Sequence, residues 1–385
     1  MVKIALVHKR LDLNGGTERD LFKTTEGLRD LGHEVHLFCS EYGESVPRGV
    51  VAHRVSAAPF GRTVSLWSFA VAAQKAIRDS RCDVVVNFGR LFAADVIRCG
   101  GGTHRGFLLE MGRAAGAGRR IWQATSVYHR SLLAVEKRQF SSERFKKIIA
   151  VSEVVKKDIM SNYGVTEDKI SVLYNGVDPH LFNPSRRVEY RSLIRQRCKI
   201  PPDAPLVLFV GSGFRRKGLD RVISLWSSKK LAAFYLLVVG TDGRLGRYRA
   251  WADSFAPGRI IFTGRQDDVE NYYAAADLVA LLSFQEAFGN VVLEGLAAGL
   301  PVIVSREVGA SEILTGTLAE GIIERRNEPE EVVAKVISLV DQSRNPTLTR
   351  DARRIGEEHS WDKHFRKLEA ILRETCKMPS LTCVS

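Results

Sequence analysis

Short apolar runs alternate along this chain with longer stretches whose apolar positions recur every three or four residues. Lys3 to Val7 is mostly apolar and reads as a buried strand. Asn14-Gly15-Gly16-Thr17 follows as a glycine turn, with Thr17 placed to cap a helix. Leu21, Phe22, Thr25, Leu28 and Leu31 then keep helical spacing up to a stop at Gly32. Glu34 to Cys39 is the next strand, so the opening predicts a βαβ unit. Residues 83–88, 147–151 and 170–174 read as further strands, and 152–163 as a helix ending at Gly164.

Asn175-Gly176-Val177-Asp178, Phe182-Asn183-Pro184 and the charged run 185–199 read as a linker or boundary. A second alternation follows. Strands are predicted at 206–211, 234–240, 259–263, 278–282 and 302–305, with helices at 218–227, 269–276 and 290–298 between them. Residues 330–342 and 361–376 read as closing helices. Strands joined by crossover helices predict an α/β protein of two doubly wound parallel-sheet domains, 1–185 and 190–360, facing across a cleft. Binding sites in such domains lie at the carboxyl ends of the strands.

The run Phe284-Gln285-Glu286-Ala287-Phe288-Gly289-Asn290-Val291-Val292-Leu293-Glu294 follows a predicted strand and opens a helix. Glu286 falls in the loop and Glu294 past the first helical turn. Gly289 lets a ligand approach the backbone, and the amides of Phe288 to Val291 are suited to an anion. On spacing alone, two solvated acids flanking a helix is the simpler account. A second run, Val210-Gly211-Ser212-Gly213-Phe214-Arg215-Arg216-Lys217-Gly218, also links a strand to a helix. Arg216 and Lys217 are cations suited to a diphosphate, although an exposed basic turn fits the same residues. Its glycine spacing does not match the dinucleotide fingerprint.

Glu286 and Glu294 form the E-x7-E pattern, and the surrounding residues resemble retaining glycosyltransferases of family 4, which have the two-domain GT-B fold. The likeness runs through Tyr273-Ala274-Ala275-Ala276-Asp277-Leu278, Leu293-Glu294-Gly295-Leu296-Ala297-Ala298-Gly299-Leu300-Pro301-Val302 and Gly309-Ala310-Ser311-Glu312. It extends to Asn14-Gly15-Gly16, Ala150-Val151-Ser152-Glu153, Asn175-Gly176-Val177-Asp178 and Ser360-Trp361, so it covers nearly the whole chain. Ser212 stands where an Arg is commoner in that family. This exchange, with Arg216-Lys217-Gly218 after it, resembles the lipopolysaccharide core glucosyltransferase I branch.

The resemblance implies two Rossmann-like domains, with a helix at about 361–378 returning to the first. It implies that Glu286 binds donor sugar hydroxyls, Glu294 the ribose, and Arg216 and Lys217 the leaving diphosphate. Gly211, Ser212, Ala287, Phe288, Gly289, Asn290 and Val291 would line the donor site, with Gly15 and Gly16 closing over it. His104, in Gly100-Gly101-Gly102-Thr103-His104-Arg105, is the candidate against the donor sugar; Gly101 is an alternative for that place. No D-x-D occurs, so no metal and no cofactor is expected, the nucleotide sugar being a substrate.

Composition narrows the rest. Hydrophobic residues are 45% and charged residues 26%, which fits a globular protein and excludes a fibrous or wholly disordered chain. Six Cys without a C-x-x-C pair predict free thiols in a reducing compartment. The opening is too short an apolar run for a signal peptide, and no stretch is long enough to span a membrane. The net charge of +13 favours anionic partners. It concentrates between Arg98 and Lys147, which hold eleven basic residues against Glu110, Glu136 and Glu143. Phe107, Leu108, Leu109, Met111, Ile121 and Trp122 lie among them. A solvated face and a grip on acidic inner-membrane lipid or a phosphorylated glycolipid both fit that pattern. No nucleic-acid-binding signature is present.

The sequence therefore predicts a retaining and metal-independent hexosyltransferase of the cytoplasm, either free there or peripheral on the inner membrane. UDP-glucose leads as donor, with ADP-heptose and GDP-mannose open. A lipopolysaccharide core leads as acceptor, and a polyprenyl or phosphatidylinositol glycolipid fits nearly as well. A GT-B nucleotide-sugar epimerase and a non-catalytic basic binding module are the rival readings.

Overall fold

The computed structural model describes residues 1–12, 16–115, 126–141, 143–325 and 327–378, with the backbone alone over 112–115. The chain forms two compact units: Met1–Asn175 with the chain from Asp362 onward, and Gly176–Trp361. No described helix is long and apolar enough to cross a membrane. Cys39, Cys82, Cys99, Cys198 and Cys376 carry free thiols.

The first unit is built on β1 (Lys3–Val7), β2 (Glu34–Cys39), β3 (Val51–Arg54), β4 (Val84–Asn87), β5 (Val96–Cys99), β6 (Lys147–Ala150) and β7 (Ile170–Val172). They form one parallel sheet in the order β3-β2-β1-β4-β5-β6-β7. Helices α1 (Gly16–Asp30), α2 (Gly61–Ser80), α3 (His104–Ala115), α4 (Val127–Gln139) and α5 (Glu153–Tyr163) connect them. Strand alternation sends Ile4 and Leu6 to one face, against Leu21 and Leu28 of α1. Ala5 and Val7 go to the other, against Phe69, Ala73 and Ile77 of α2.

Helix α1 begins at Gly16, so Thr17 lies inside its first turn instead of capping it. Asn14 and Gly15 lie outside the described residues. Helix α5 starts as expected, with Ser152 Oγ accepting from the Val155 amide at 3.1 Å.

The second unit repeats the plan. Strands β8 (Leu206–Val210), β9 (Tyr235–Val239), β10 (Ile260–Gly264), β11 (Leu278–Leu281), β12 (Val302–Ser305) and β13 (Ile322–Ile323) form a parallel sheet ordered β10-β9-β8-β11-β12-β13. Its helices are α6 (Arg186–Arg197), α7 (Leu219–Ser224), α8 (Leu245–Phe255), α9 (Val269–Ala275), α10 (Asn290–Ala297), α11 (Pro329–Gln342) and α12 (Pro346–Glu358). Phe209, Val222, Trp226, Leu236, Val333 and Leu339 are fully buried in its core.

The charged run after Pro184 is not a linker but the helix α6. Arg187, Arg191 and Arg195 are spaced four residues apart and so share one face. All three converge on Asp277, at 3.2, 2.9 and 2.9 Å. Burial pushes the Asp277 carboxyl up, but the charges of Arg191 and Arg195 outweigh it and hold the group below its ordinary range. The arginines also cap the carbonyls of Ala275 and Ala276, where α9 ends.

The last helix, α13 (Trp361–Lys377), lays Leu368 and Leu372 into the first unit's core beside Leu21 and Val35. Truncating either leucine to Ala should cost about 2–5 kcal/mol. Next to it, the buried Arg98 donates to Asp20 at 3.1 Å, to the Leu173 carbonyl at 3.0 Å and to Asn175 at 2.8 Å. His364 on α13 contacts the Tyr174 carbonyl through Nδ1 at 2.7 Å. Arg98 is therefore part of the fold's interior and not of a basic surface.

Candidate active site

In the second unit, β8 and β11 are neighbours in the sheet, while the chain after β8 runs first to β9 on the other side. The strand order reverses here, and ligands in sheets of this kind bind in the crevice outside the strand ends. One loop runs from Gly211 to Gly218 and leads into α7. The other runs from Leu282 to Gly289 and leads into α10.

Two glycines set the loop paths. Gly218 has φ +72°, and a Cβ there would lie 1.9 Å from the Leu282 carbonyl oxygen, so the loops pack backbone to backbone. Gly289 has φ +94°, and its Cβ would meet Val308 Cγ1 at 2.7 Å. The Glu286 loop is pinned from the far side. The Gly309 amide donates to the Glu286 carbonyl at 3.1 Å, and the Ala310 amide to the Phe288 carbonyl at 2.7 Å. The buried Phe288 ring anchors the turn.

This bracing brings the predicted residues together. Arg216 Nη1 donates to Glu286 Oε2 at 2.5 Å, and Lys217 Nζ lies 3.5 Å from the same oxygen. Gly211 and Ser212 open the basic loop; Ala287 to Val291 carry the chain into the start of α10. Glu294 lies one turn into that helix, where its Oε2 accepts from the Tyr273 hydroxyl at 2.6 Å. Two cations, two carboxylates and a helix start in one crevice can hold a diphosphate and hydroxyl groups together.

The first unit has its own crevice, of about 320 Å³, at the ends of β1 and β4. The start of α1, through Thr17 and Glu18, lines it together with Gly100 to His104. Gly16 is the exposed first residue of α1, and Gly15 is not among the described residues. His104 opens α3. Its amide donates to Glu136 Oε2 at 2.7 Å, and its Nε2 lies 3.0 Å from His129 Nδ1. Burial pushes its pKa down to about 4, with Glu136 opposing. The ring is therefore a neutral imidazole at pH 7 and acts as a hydrogen-bonding group, not a cation.

Sequence reasoning missed several members of these sites. Glu136 is fully buried and accepts from the amides of His104 and Arg105 and from Tyr163, while pairing with Arg90 at 2.9 Å. In the sequence it reads only as one of three acids within a basic span. Arg90 lines the same crevice and carried no local signal. Tyr273 belongs to a quoted motif, but its partner Glu294 is twenty-one residues away. Within the basic span, Lys146 pairs with Asp95 at 2.9 Å and Lys147 bonds the Asp168 carbonyl. Arg105, Arg130, Lys137 and Arg138 stay exposed. Ile121 and Trp122 lie outside the described residues.

Known proteins resemble the chain over both units. Residues 14–181 match the family described as Glycosyltransferase Family 4, and residues 191–359 match Glycosyl transferases group 1. A "Probable transglycosylase" of Burkholderia thailandensis is 30% identical over 314 residues, 81% of this chain and 79% of that protein. The lipopolysaccharide glucosyltransferase WaaG of Escherichia coli is 26% identical over 77% of this chain and 78% of its own length. A crystal structure of WaaG, a glycosyltransferase involved in lipopolysaccharide biosynthesis, superimposes with a TM-score of 0.79 at 23% identity, covering 96% of this chain and 99% of that one. Anabaena HepE, solved with UDP and glucose, superimposes with a TM-score of 0.69 at 18% identity, covering 97% and 100% of the two chains. The chain belongs to the group 1/family 4 glycosyltransferases and has their two-domain GT-B fold.

Proposed function

We propose that the protein transfers glucose, or another hexose, from a UDP-sugar to a hydroxyl of a phosphorylated glycolipid of the lipopolysaccharide-core kind, with retention of configuration and without a metal. The observation that carries this reading is the cluster of Arg216, Lys217 and Glu286 at the strand-order reversal, with Glu294 one turn into α10. WaaG is a lipopolysaccharide glucosyltransferase and HepE was solved with UDP and glucose, and both support the choice of sugar and nucleotide.

Each residue has one task. Arg216 and Lys217 take the charge that grows on the diphosphate as the glycosidic bond breaks, the role a metal plays elsewhere. Glu286 accepts from sugar hydroxyls and fixes the reacting carbon. Glu294 accepts from the ribose hydroxyls. The acceptor oxygen forms a bond to the anomeric carbon on the face that the phosphate leaves, and its proton passes to the departing phosphate oxygen. Neutral His104 offers a hydrogen-bonding group in the first unit's crevice.

The same reading places the enzyme in the cytoplasm against the inner leaflet. Phe107, Leu109 and Val127 are 39, 51 and 69% exposed. With Arg105, Arg130 and Arg138 they suit an acidic lipid surface.

The test is transfer of labelled glucose from UDP-glucose to a deacylated lipopolysaccharide core in excess chelator. Acceptor-dependent release of UDP with label on the core supports the proposal. Consumption of donor without acceptor would favour an epimerase, and turnover only with ADP- or GDP-sugars would replace the donor.

A further inference from the structure

The phenol of Tyr273 is fully buried and its hydroxyl has a carboxylate oxygen, Glu294 Oε2, at 2.6 Å. A buried hydroxyl is costly unless it is paired, and an ionised carboxylate only accepts, so the direction of this bond is fixed. It joins α9 to α10.

Tyr273 is itself held rigidly. Its ring meets Phe182 edge to face, with centroids 5.2 Å apart and planes at 85°. The carbonyls ending α9, at Ala275 and Ala276, receive Arg187, Arg191 and Arg195. Asp277, the next residue, is gripped by the same three arginines. The end of α9, just beyond Tyr273, is thus held to α6 by charge-assisted bonds, and the Tyr273 phenol in turn bonds Glu294. Glu294 is not among the buried residues of α10.

We propose that Tyr273 is a positioning residue for nucleoside recognition: it fixes the plane and rotamer of the Glu294 carboxylate so that the carboxylate meets the two ribose hydroxyls of the donor. This rests on the assignment of Glu294 to the ribose. A glutamate on a helix surface has three rotatable bonds, and locking one oxygen removes most of that freedom before the nucleotide arrives. The gain is specific to ligands that carry the diol.

The test uses the full-length Tyr273→Phe protein, which keeps the ring and its packing. Its affinity for UDP and for 2′,3′-dideoxy-UDP is measured by calorimetry beside the wild type and Glu294→Ala. The expected result is a roughly tenfold loss for UDP and no change for the dideoxy analogue. Equal losses for both would make Tyr273 a merely structural residue, and no loss for either would make it irrelevant; each overturns the proposal. If wild type itself does not distinguish the two ligands and Glu294→Ala weakens neither, the ribose assignment fails and the proposal falls with it. If wild type prefers ADP or GDP, the same pair of ligands is made with that base and read in the same way.

Discussion

Arg216 Nη1 and Glu286 Oε2 lie 2.5 Å apart, so the cation assigned to the diphosphate and the carboxylate assigned to the sugar pair with each other. Their side chains are 44 and 18% exposed. Such a partly exposed pair contributes at most about 1 kcal/mol. A diphosphate offers Arg216 more charge and more acceptor oxygens than one carboxylate does, so the exchange runs toward the donor. On the proposed assignment, breaking the pair would release Glu286 toward the sugar and so couple binding of the leaving group to the sugar contact.

The exchange makes a prediction about Glu286→Gln. Donor turnover should fall by about a hundredfold, which corresponds to roughly 2.7 kcal/mol of lost transition-state stabilisation. UDP, which carries no sugar, should bind as tightly as before or a few-fold tighter, because the competing carboxylate is gone. Steady-state rates and calorimetry with UDP check the two halves separately.

Arg216→Ala and Lys217→Ala should each weaken UDP binding about ten- to a hundredfold, the range for one charge-assisted contact. Uridine, which lacks the diphosphate, should bind both variants as it binds the wild type. Parallel titrations with UDP and uridine measure the difference.

Gly218→Ala should destabilise the second unit by about 2 kcal/mol or more, because it adds strain at φ +72° to a contact of 1.9 Å with the Leu282 carbonyl. Gly213→Ala is the control. Gly213 has a similar φ of +71° but nothing within 4 Å of the added carbon, so it should lose only about 1 kcal/mol. Denaturant midpoints of the two variants give the comparison.

Acid should destabilise the first unit through its buried histidines. Burial pushes both His104 and His364 down to about 4, with the nearby charge of Arg98 adding to the effect at His364. Between pH 6.5 and 4 the unfolded chain binds protons that the native state does not. Stability is therefore fully present above 6.5 and falls as the pH drops toward 4. For His364, which is almost wholly buried, the loss is of order 3 kcal/mol. Unfolding curves across this range measure the slope, and His364→Gln should flatten it.

Much of this was legible in the chain. The second unit's strands are short runs of buried Val, Leu and Ile with few competing readings, and β12 matches its predicted bounds. The loops that carry Arg216, Lys217, Glu286 and Glu294 are continuous motifs, so their chemistry survives being read one residue at a time. Elsewhere the signal was weaker. Helix α2 is apolar almost all round, with Val64 and Val71 exposed, so it has no clear face. Strand β3 is a short, mostly exposed edge. The residues of α6 read as a linker or boundary in the chain because its arginines look solvated until Asp277 is seen opposite them. Arg98 reads as one charge of a basic span, since composition does not register burial. The Tyr273–Glu294 bond is purely tertiary, and no spacing rule reaches it.

The most direct measurement is metal-free calorimetry of UDP, ADP and GDP against the wild type and Glu294→Ala. The account predicts that UDP binds selectively, that chelator leaves its affinity unchanged, and that Glu294→Ala weakens it about tenfold or more. Absence of nucleotide binding, or binding that Glu294→Ala leaves intact, would contradict the placement of the donor site in this crevice.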